Sequence, residues 1–193
     1  MTNQEISQLK KDLIFETTLR ELPFTFHTTW GLFSPKEVDE GTLLLLKYIE
    51  ATEDAKILDL GCGYGAIGLT LGKLASHGNM HMVDKDFVAV GYARKNAKIN
   101  QVNHCHIYLS NGFSNVEADE FDIIVSNLPA KVGKEMFLIM LHDAKKHLKK
   151  GGKFYVVTIS GLREFIKRNF QEVFGNYEKL GQNKTYTVAV TVK

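Results

Sequence analysis

Residues 55–68 read Ala55-Lys-Ile-Leu-Asp59-Leu-Gly61-Cys-Gly63-Tyr-Gly65-Ala-Ile-Gly68, an apolar run that ends in a carboxylate and three alternate glycines. A helix-like pattern of apolar residues follows directly. A strand can turn this tightly into a helix, and leave its backbone open to a ligand, only where side chains are absent. The stretch therefore predicts an α/β protein that binds a nucleoside-bearing ligand at this turn.

The charge of Asp59 separates two classes of ligand that use this geometry. Gly63, Gly65 and Gly68 also fit the G-x-G-x-x-G spacing of dinucleotide-binding proteins. A carboxylate two residues before the first glycine would repel a pyrophosphate at the helix N-terminus. S-adenosylmethionine instead carries a sulfonium and an ammonium, which suit Asp59. The run from Asp59 to Gly65 closely resembles motif I of the Rossmann-like methyltransferases; the plainer alternative is a tight turn with a solvated Asp59.

The composition is that of an ordinary globular protein. The chain has 193 residues, of which 44% are hydrophobic and 24% charged, with a net charge of +2, and this length fits one domain. The cysteines Cys62 and Cys105 show no disulfide or metal-site spacing, and no apolar run approaches the roughly 20 residues of a membrane span. The N-terminus lacks a basic segment followed by an apolar core. We expect a cytoplasmic protein without membrane association. The sequence makes no prediction of the oligomeric state.

The first 23 residues are predicted to form a short helical extension. Ile6, Leu9 and Leu13 recur at roughly helical spacing. Pro23 is expected to end this helix because proline lacks the amide hydrogen that a helix interior requires.

Strands and helices alternate through residues 24–193, the predicted main domain. Strands are expected near 25–30, 55–60, 79–84, 104–109, 120–126, 152–158, 177–180 and 185–192, and helices near 38–49, 65–75, 86–100, 134–149 and 161–173. This alternation implies a mostly parallel sheet with right-handed crossovers, and the short link before the last strand forces a hairpin. The predicted fold class is α/β, Rossmann-like and doubly wound, with a C-terminal antiparallel hairpin, the arrangement expected of Rossmann-like methyltransferases.

A second carboxylate follows the next predicted strand. Asp84 ends the run His81-Met-Val-Asp84, with Lys85 beside it. Open α/β sheets bind ligands at the carboxyl ends of their strands, so Asp84 is expected to share the crevice with the glycine turn and to accept the hydroxyls of a ribose. The alternative is a helix cap, for which Asp86 is as good a candidate.

The third predicted strand ends in Ser110-Asn111-Gly112-Phe113. Asn111 is a candidate for hydrogen bonding to an adenine amino group, with Gly112 and Phe113 as neighbours that flank the ring. A plain turn is the alternative, because Asn-Gly favours turns in any case.

The fourth predicted strand ends in Asn127-Leu128-Pro129, where the chemistry is expected. The side-chain carbonyl of Asn127 and the next backbone carbonyl can both accept hydrogen bonds from an exocyclic amine, across the cofactor's methyl group. Such an amine is a poor nucleophile because its lone pair is delocalised into the ring, and these acceptors favour its pyramidal form. Catalysis would rest on positioning and electrostatics, without a strong base.

The chain as a whole resembles the "methyltransferase small" family. The matching pieces are Trp30-Gly-Leu-Phe-Ser34, Val38-Asp-Glu-Gly-Thr-Leu-Leu44, Asp59 to Gly65, Ser110 to Ser114 and Phe121 to Glu135, and together they cover about residues 28–193. The resemblance implies S-adenosylmethionine as cofactor and an amine on a base, usually in RNA, as methyl acceptor. In the family the catalytic Asn is followed by two prolines and an aromatic or other apolar residue. Here Leu128 lacks the φ restriction of proline, and Ala130 lacks a ring that could stack on a flipped base.

Candidate substrate contacts lie around this loop. Phe33 can supply a stacking ring from another loop, and Lys131 and Lys134 follow the Asn127 loop as candidates for phosphate contacts. The lysines at 145, 146, 149 and 150 lie near a helix C-terminus, where their charge also offsets the helix dipole. The seven histidines show no metal-ligand spacing, so no metal is expected.

The sequence therefore predicts an S-adenosylmethionine-dependent methyltransferase that acts on a purine amine in RNA, with guanine N2 of small-subunit ribosomal RNA as the favoured acceptor and ribosomal RNA or a ribosomal particle as partner. The same fold acting on a protein glutamine amide or a DNA adenine is a second hypothesis. A catalytically weakened RNA-binding module, suggested by Leu128 and Ala130, is a third, and an NAD-dependent dehydrogenase is a distant fourth.

Overall fold

The computed structural model describes residues 1–117, 120–129 and 133–193. Within these ranges the helices are α1 (Asn3–Leu9), α2 (Glu40–Leu46), α3 (Ala66–Leu74), α4 (Phe87–Ile99), α5 (Lys134–His147) and α6 (Arg163–Phe174), with a 3-10 turn at Ser160–Leu162. The strands are β1 (Leu13–Leu19), β2 (Leu22–Thr28), β3 (Lys56–Leu60), β4 (Asn79–Asp84), β5 (Cys105–Leu109), β6 (Phe121–Asn127), β7 (Leu148–Ile159), β8 (Glu178–Gln182) and β9 (Tyr186–Val192).

Strands β3 to β9 form one sheet in the order β5-β4-β3-β6-β7-β9-β8. Neighbours from β5 to β7 pair in parallel, and β9 pairs antiparallel with both β7 and β8. The predicted fold class is therefore confirmed, including the C-terminal hairpin. The chain runs outward from β3 through β4 to β5 and then returns to the other side of β3 as β6. The strand order thus reverses between β3 and β6, and open α/β sheets bind ligands at the carboxyl ends of such a pair.

Two apolar clusters cover the faces of this sheet. Strand residues alternate between them, so that Ile57 and Val125 face the cluster that contains α2, α3 and α4, while Leu58 and Ile124 face the cluster that contains α5 and α6. Burial on both faces explains why β3 and β6 are apolar over most of their length.

The N-terminal prediction is wrong beyond Leu9. Residues 13–19 form β1, which pairs antiparallel with β2, and Pro23 lies inside β2. The burial of β1 alternates with period two, from Leu13 to Leu19, and this alternation overrides the helical spacing that Leu13 shares with Ile6 and Leu9 of α1. The hairpin turns at Arg20 and Glu21, which both adopt positive φ although neither is a glycine. The sequence therefore lacks the glycine that usually marks such a turn. The division between residues 1–23 and 24–193 stays a prediction.

The hairpin is attached to α4 by two asparagines one helical turn apart. The Asn96 side chain accepts from the His27 amide (2.8 Å) and donates to the His27 carbonyl (2.9 Å). Asn100 makes the same pair of contacts with Thr25, at 3.0 and 2.8 Å. Each side-chain amide thereby replaces the missing neighbouring strand of β2. This attachment holds the residues that follow β2 beside the main sheet.

Candidate active site

The glycine turn follows β3 and is held against the end of β4. The amides of Gly61 and Cys62 both donate to the Val83 carbonyl, at 2.8 and 2.9 Å, and the Gly63 amide donates to Asp84 Oδ2 at 2.9 Å. Gly65 is the N-cap of α3. The predicted elements from the first two strands of the sheet are therefore in direct contact.

The outer side of the turn is open. Gly61 and Gly63 have φ values of +80° and +55°, and a Cβ built on either one would meet no atom within 4 Å. Backbone at positive φ favours glycine, and the free space above it lets a ligand approach the main chain. Cys62 is buried and packs inward between them.

Asp59 lies beneath the turn rather than on its surface. The side chain is fully buried, and Oδ2 accepts from the Gly68 amide at 2.8 Å. Among the described residues Oδ1 has no hydrogen-bond partner. Burial, assisted by the nearby charge of Asp84, raises the pKa of Asp59 to about 7 although the Gly68 amide acts in the opposite direction. An uncompensated buried carboxylate of this kind favours either a proton or a cation close by.

Asp84 and Asp86 divide the functions that the sequence left open. Asp86 is the N-cap of α4 and accepts from the Val88 amide, which decides between the two caps that the sequence offered. The carboxylate of Asp84 accepts from the Gly63 amide through one oxygen and from the Asp86 amide through the other. Each oxygen keeps a second lone pair that can accept from a ribose hydroxyl. Ribose binding by Asp84 stays a prediction. The side chain of Lys85 is exposed.

The loop after β5 corrects one expected neighbour of adenine. The ring of Phe113 is only 6% exposed and stacks on His147 at 4.9 Å, inside the α5 cluster. It packs there because an apolar ring gains more from the core than from the crevice. Asn111 is exposed, and the Ser110 hydroxyl closes the loop by donating to the Gly112 carbonyl at 2.7 Å. Asn111 and Gly112 stay predicted cofactor contacts.

Asn127 ends β6 and is held in one orientation. The register pairs Asp59 of β3 with Val125 of β6, so Asn127, two residues further along β6, lies at the same edge of the sheet as the glycine turn. Its Nδ2 donates to Asp39 Oδ2 and to Thr42 Oγ1, each at 3.0 Å. A carboxylate only accepts hydrogen bonds, so the amide nitrogen must be the end that faces Asp39. No described residue donates to Asn127 Oδ1.

Asp39 collects four donors around Asn127. As the N-cap of α2 it accepts from the amides of Gly41 and Thr42, and its other oxygen accepts from the Tyr186 hydroxyl at 2.7 Å. The hydrogen bond to Asp39, together with burial, raises the pKa of Tyr186 to about 12. A Cβ on Gly41 would lie 2.8 Å from the Tyr186 ring, so this glycine makes room for the contact.

These partners of Asn127 were missed by sequence reasoning. Asp39, Gly41 and Thr42 belong to a stretch that carried the family resemblance, but no chemistry was assigned to them. Tyr186 lies 147 residues from Asp39 along the chain, and only the antiparallel placement of β9 beside β7 brings it there.

The residues that follow Asn127 differ in their exposure to solvent. Leu128 is buried, and its amide donates to the Val157 carbonyl at 2.9 Å, whereas Pro129 is exposed. Ala130 and Lys131 lie outside the described residues. Lys134 begins α5 and is exposed.

Two exposed rings occupy the segment between β2 and α2. Phe33 is 66% exposed and Trp30 is 46% exposed, and this segment leads directly to Asp39. Phe33 therefore lies on a loop that ends at a partner of Asn127, and its contact with substrate stays a prediction.

An open glycine turn and a fixed Asn at the two strands that flank the reversal point define a Rossmann-like methyltransferase. Within the described part of the chain, no group of three His, Cys, Asp or Glu side chains could hold a metal ion. No helix found there is long and apolar enough to cross a bilayer.

Residues 23–190 match the Methyltransferase small domain, and the chain belongs to this family. A Bacillus subtilis protein, YbxB, is 40% identical over 174 residues, covering 88% of this chain and 86% of its own. Ribosomal RNA small subunit methyltransferase C of Haemophilus influenzae is 34% identical over 177 residues, covering 89% and 51%. The family, its methyl donor S-adenosylmethionine and its class of reaction are thus as predicted.

A solved structure supports the same conclusion. The 16S rRNA N2 methyltransferase RsmC of T. thermophilus, in complex with AdoMet and guanosine, superposes with a TM-score of 0.87 at 28% identity, covering 95% of this chain and 51% of that one. The chain spans about half the length of the ribosomal RNA methyltransferases that it matches.

Proposed function

We propose that this protein transfers a methyl group from S-adenosylmethionine to an exocyclic amine of a base in RNA, with guanine N2 of small-subunit ribosomal RNA as the favoured acceptor. The observation that carries the proposal is the orientation of Asn127. Because Asp39 and Thr42 take both amide hydrogens, the carbonyl oxygen is the end left for an amine.

The residues of the glycine turn fit the proposed cofactor. S-adenosylmethionine supplies, when bound, a methyl group on a positively charged sulfur. The open backbone at Gly61 and Gly63 can take its close approach, Asp84 can accept from its ribose, and Asn111 can contact its base. Asp59 lies beneath the turn, where a bound cation would favour its charged form and its unpartnered oxygen faces no competing donor among the described residues.

Asn127 and Leu128 would then act on the acceptor amine. Asn127 Oδ1 and the Leu128 carbonyl each accept one hydrogen of that amine, which directs its lone pair away from the ring system. The Leu128 amide donates a hydrogen bond to the Val157 carbonyl. This contact fixes the backbone at Leu128 without the proline that other family members have there. The rate enhancement comes from orienting the amine toward the methyl group, and no side chain has to remove a proton from the amine before methyl transfer.

The RNA acceptor is supported by the relatives and by the residues near Asn127. Both the H. influenzae enzyme and the T. thermophilus enzyme are named for ribosomal RNA. Phe33 and Trp30 offer exposed rings on the segment that leads to Asp39, and base stacking on such rings contributes about 1–3 kcal/mol per base. Lys131 and Lys134 are proposed to contact phosphates.

Tritium transfer into cellular fractions tests the acceptor class. Purified protein and tritiated S-adenosylmethionine are added to RNA, DNA and protein from a cell that lacks the enzyme. We expect label in RNA, released on digestion as N2-methylguanosine. Label in DNA or in protein would instead assign the adenine or glutamine-amide acceptor, and cofactor binding without any transfer would assign a binding module.

A further inference from the structure

A cavity of about 690 Å³ lies behind the Asn127 loop, on the opposite face of the sheet from Asp39. Its walls include Leu128 from the loop, Thr158 at the end of β7, and Phe137 and Phe165 from α5 and α6. The volume is that of a small-molecule binding site. Because Leu128 lines this cavity directly after Asn127, the cavity adjoins the expected reaction centre.

The floor of the cavity has an unused hydrogen-bonding group. Thr158 is 1% exposed, and its Oγ1 has no hydrogen-bond partner among the described residues. A buried hydroxyl without a partner costs free energy that a ligand could recover. In the paired position on β9, Thr187 does have a contact, with Ser160 Oγ at 3.3 Å, so the missing partner is particular to Thr158.

The rim of the cavity is cationic. Lys134 and Arg168 both line it, together with Glu164. Glu164 is paired with the guanidinium of Arg163 at 3.0 Å, whereas the Arg168 guanidinium lies over the Phe165 ring, 5.9 Å from its centre. Lys134 and Arg168 therefore place positive charge beside the aromatic ring of Phe165. Positive charge next to an aromatic ring is the combination that binds single-stranded nucleic acid.

We propose that this cavity receives a second nucleotide of the acceptor strand, next to the one that is methylated. The base of this nucleotide lies between Leu128 and Phe165 and forms a hydrogen bond with Thr158 Oγ1. Its phosphate lies against Lys134 and Arg168. The methylated base itself belongs on the other side, because Asn127 is held toward Asp39 while Leu128 faces the α5 and α6 cluster. The inference rests on the proposed RNA acceptor.

Nuclear magnetic resonance of the full chain tests occupancy directly. Guanosine and adenosine 5′-monophosphate are titrated into protein with labelled methyl groups, and saturable shifts are expected at Leu128, Thr158 and Ile166. Arg168→Gln should weaken binding about fivefold through the lost phosphate contact. The matched control is Lys167→Gln, an equal charge change at an exposed neighbour that does not line the cavity, and it should leave affinity unchanged.

Thr158→Val separates ligand binding from fold stability. Removing the unpartnered hydroxyl should raise Tm while weakening nucleotide binding about fivefold, and Thr158→Ser should restore binding. A purely structural hydroxyl would not give these opposite changes. Absence of methyl shifts at millimolar nucleotide, or equal weakening by Lys167→Gln, would overturn the proposal.

Steady-state transfer into RNA distinguishes this inference from the proposed function. Arg168→Gln should raise KM for RNA and leave the Kd for S-adenosylmethionine unchanged. If wild-type protein methylates RNA and the cavity variants have unaltered KM, the cavity proposal fails and the proposed function stands. If nucleotides occupy the cavity but no RNA is methylated, the proposed function fails and the nucleotide site stands.

Discussion

Asn127 Nδ2 lies 3.0 Å from Asp39 Oδ2, although the two residues are 88 positions apart in the chain. The contact joins the carboxyl end of β6 to the N-cap of α2 and determines which end of the Asn127 amide is available to substrate. Thr42 and Tyr186 complete the arrangement, Thr42 by accepting the second amide hydrogen and Tyr186 by donating to the far oxygen of Asp39.

Asp39→Ala is predicted to reduce kcat by about tenfold or more, because removing the carboxylate that accepts from Asn127 Nδ2 leaves the Asn127 side chain free to turn over. The Kd for S-adenosylmethionine should stay within about twofold, since Asp39 does not touch the glycine turn. Transfer kinetics and calorimetry check the two quantities separately. Glu40→Ala is the control, because it removes a carboxylate from the next, exposed residue. A loss of cofactor affinity equal to the loss of kcat would refute a positioning function for Asp39.

The sequence was sufficient to predict the main sheet but not the partners of Asn127. Gly61, Gly63 and Asp84 are local signals, since each lies where a strand ends, and strand ends of a parallel sheet share one edge. Tyr186 and Asp39 meet only through long-range pairing, for which a single sequence carries no signal. The strand at 13–19 was missed because Leu13 continues the helical spacing of Ile6 and Leu9, which do lie in α1.

Asp59 is predicted to make stability fall as the pH rises from about 4 to about 7. Its pKa is raised from 3.8 to about 7 in the folded chain, so the folded state holds a proton that the unfolded state releases, and unfolding becomes more favourable with rising pH. Each pH unit in this window corresponds to about 1.4 kcal/mol. Asp59→Asn should remove this slope in urea titrations of the ligand-free protein. An identical pH dependence of the two proteins would contradict the assigned pKa.

Gly63→Ala is predicted to weaken S-adenosylmethionine binding, because its Cβ would enter the open space above the turn. The positive φ should also cost about 1 kcal/mol of stability. Gly91→Ala is the control: Gly91 lies inside α4 with free space around it, so this change should stabilise by about 0.5–1 kcal/mol and leave binding unaltered. Calorimetry and urea unfolding measure both effects, and unchanged cofactor affinity in Gly63→Ala would place the ligand elsewhere.

Asp12 is predicted to secure the N-terminal hairpin by about 1 kcal/mol. Partial burial raises its pKa, but hydrogen bonds from Lys95, His27 and Tyr92 outweigh burial and lower the pKa from 3.8 to about 2. The stabilisation is therefore present above pH 4 and is lost as the pH falls toward 2. Asp12→Asn should be less stable than wild type at pH 7 and equally stable at pH 2 in urea unfolding. A stability difference that persists at pH 2 would show that charge is not its source.

The most direct measurement is single-turnover transfer of tritiated methyl from S-adenosylmethionine to ribosomal RNA by the wild-type protein and by Asn127→Ala. The wild-type protein should label RNA, and the variant should react about a hundredfold more slowly while its cofactor Kd stays within about twofold. This result would show that Asn127 acts on the acceptor amine. Equal rates for the two proteins, or no transfer to RNA by the wild type, would contradict the proposed function.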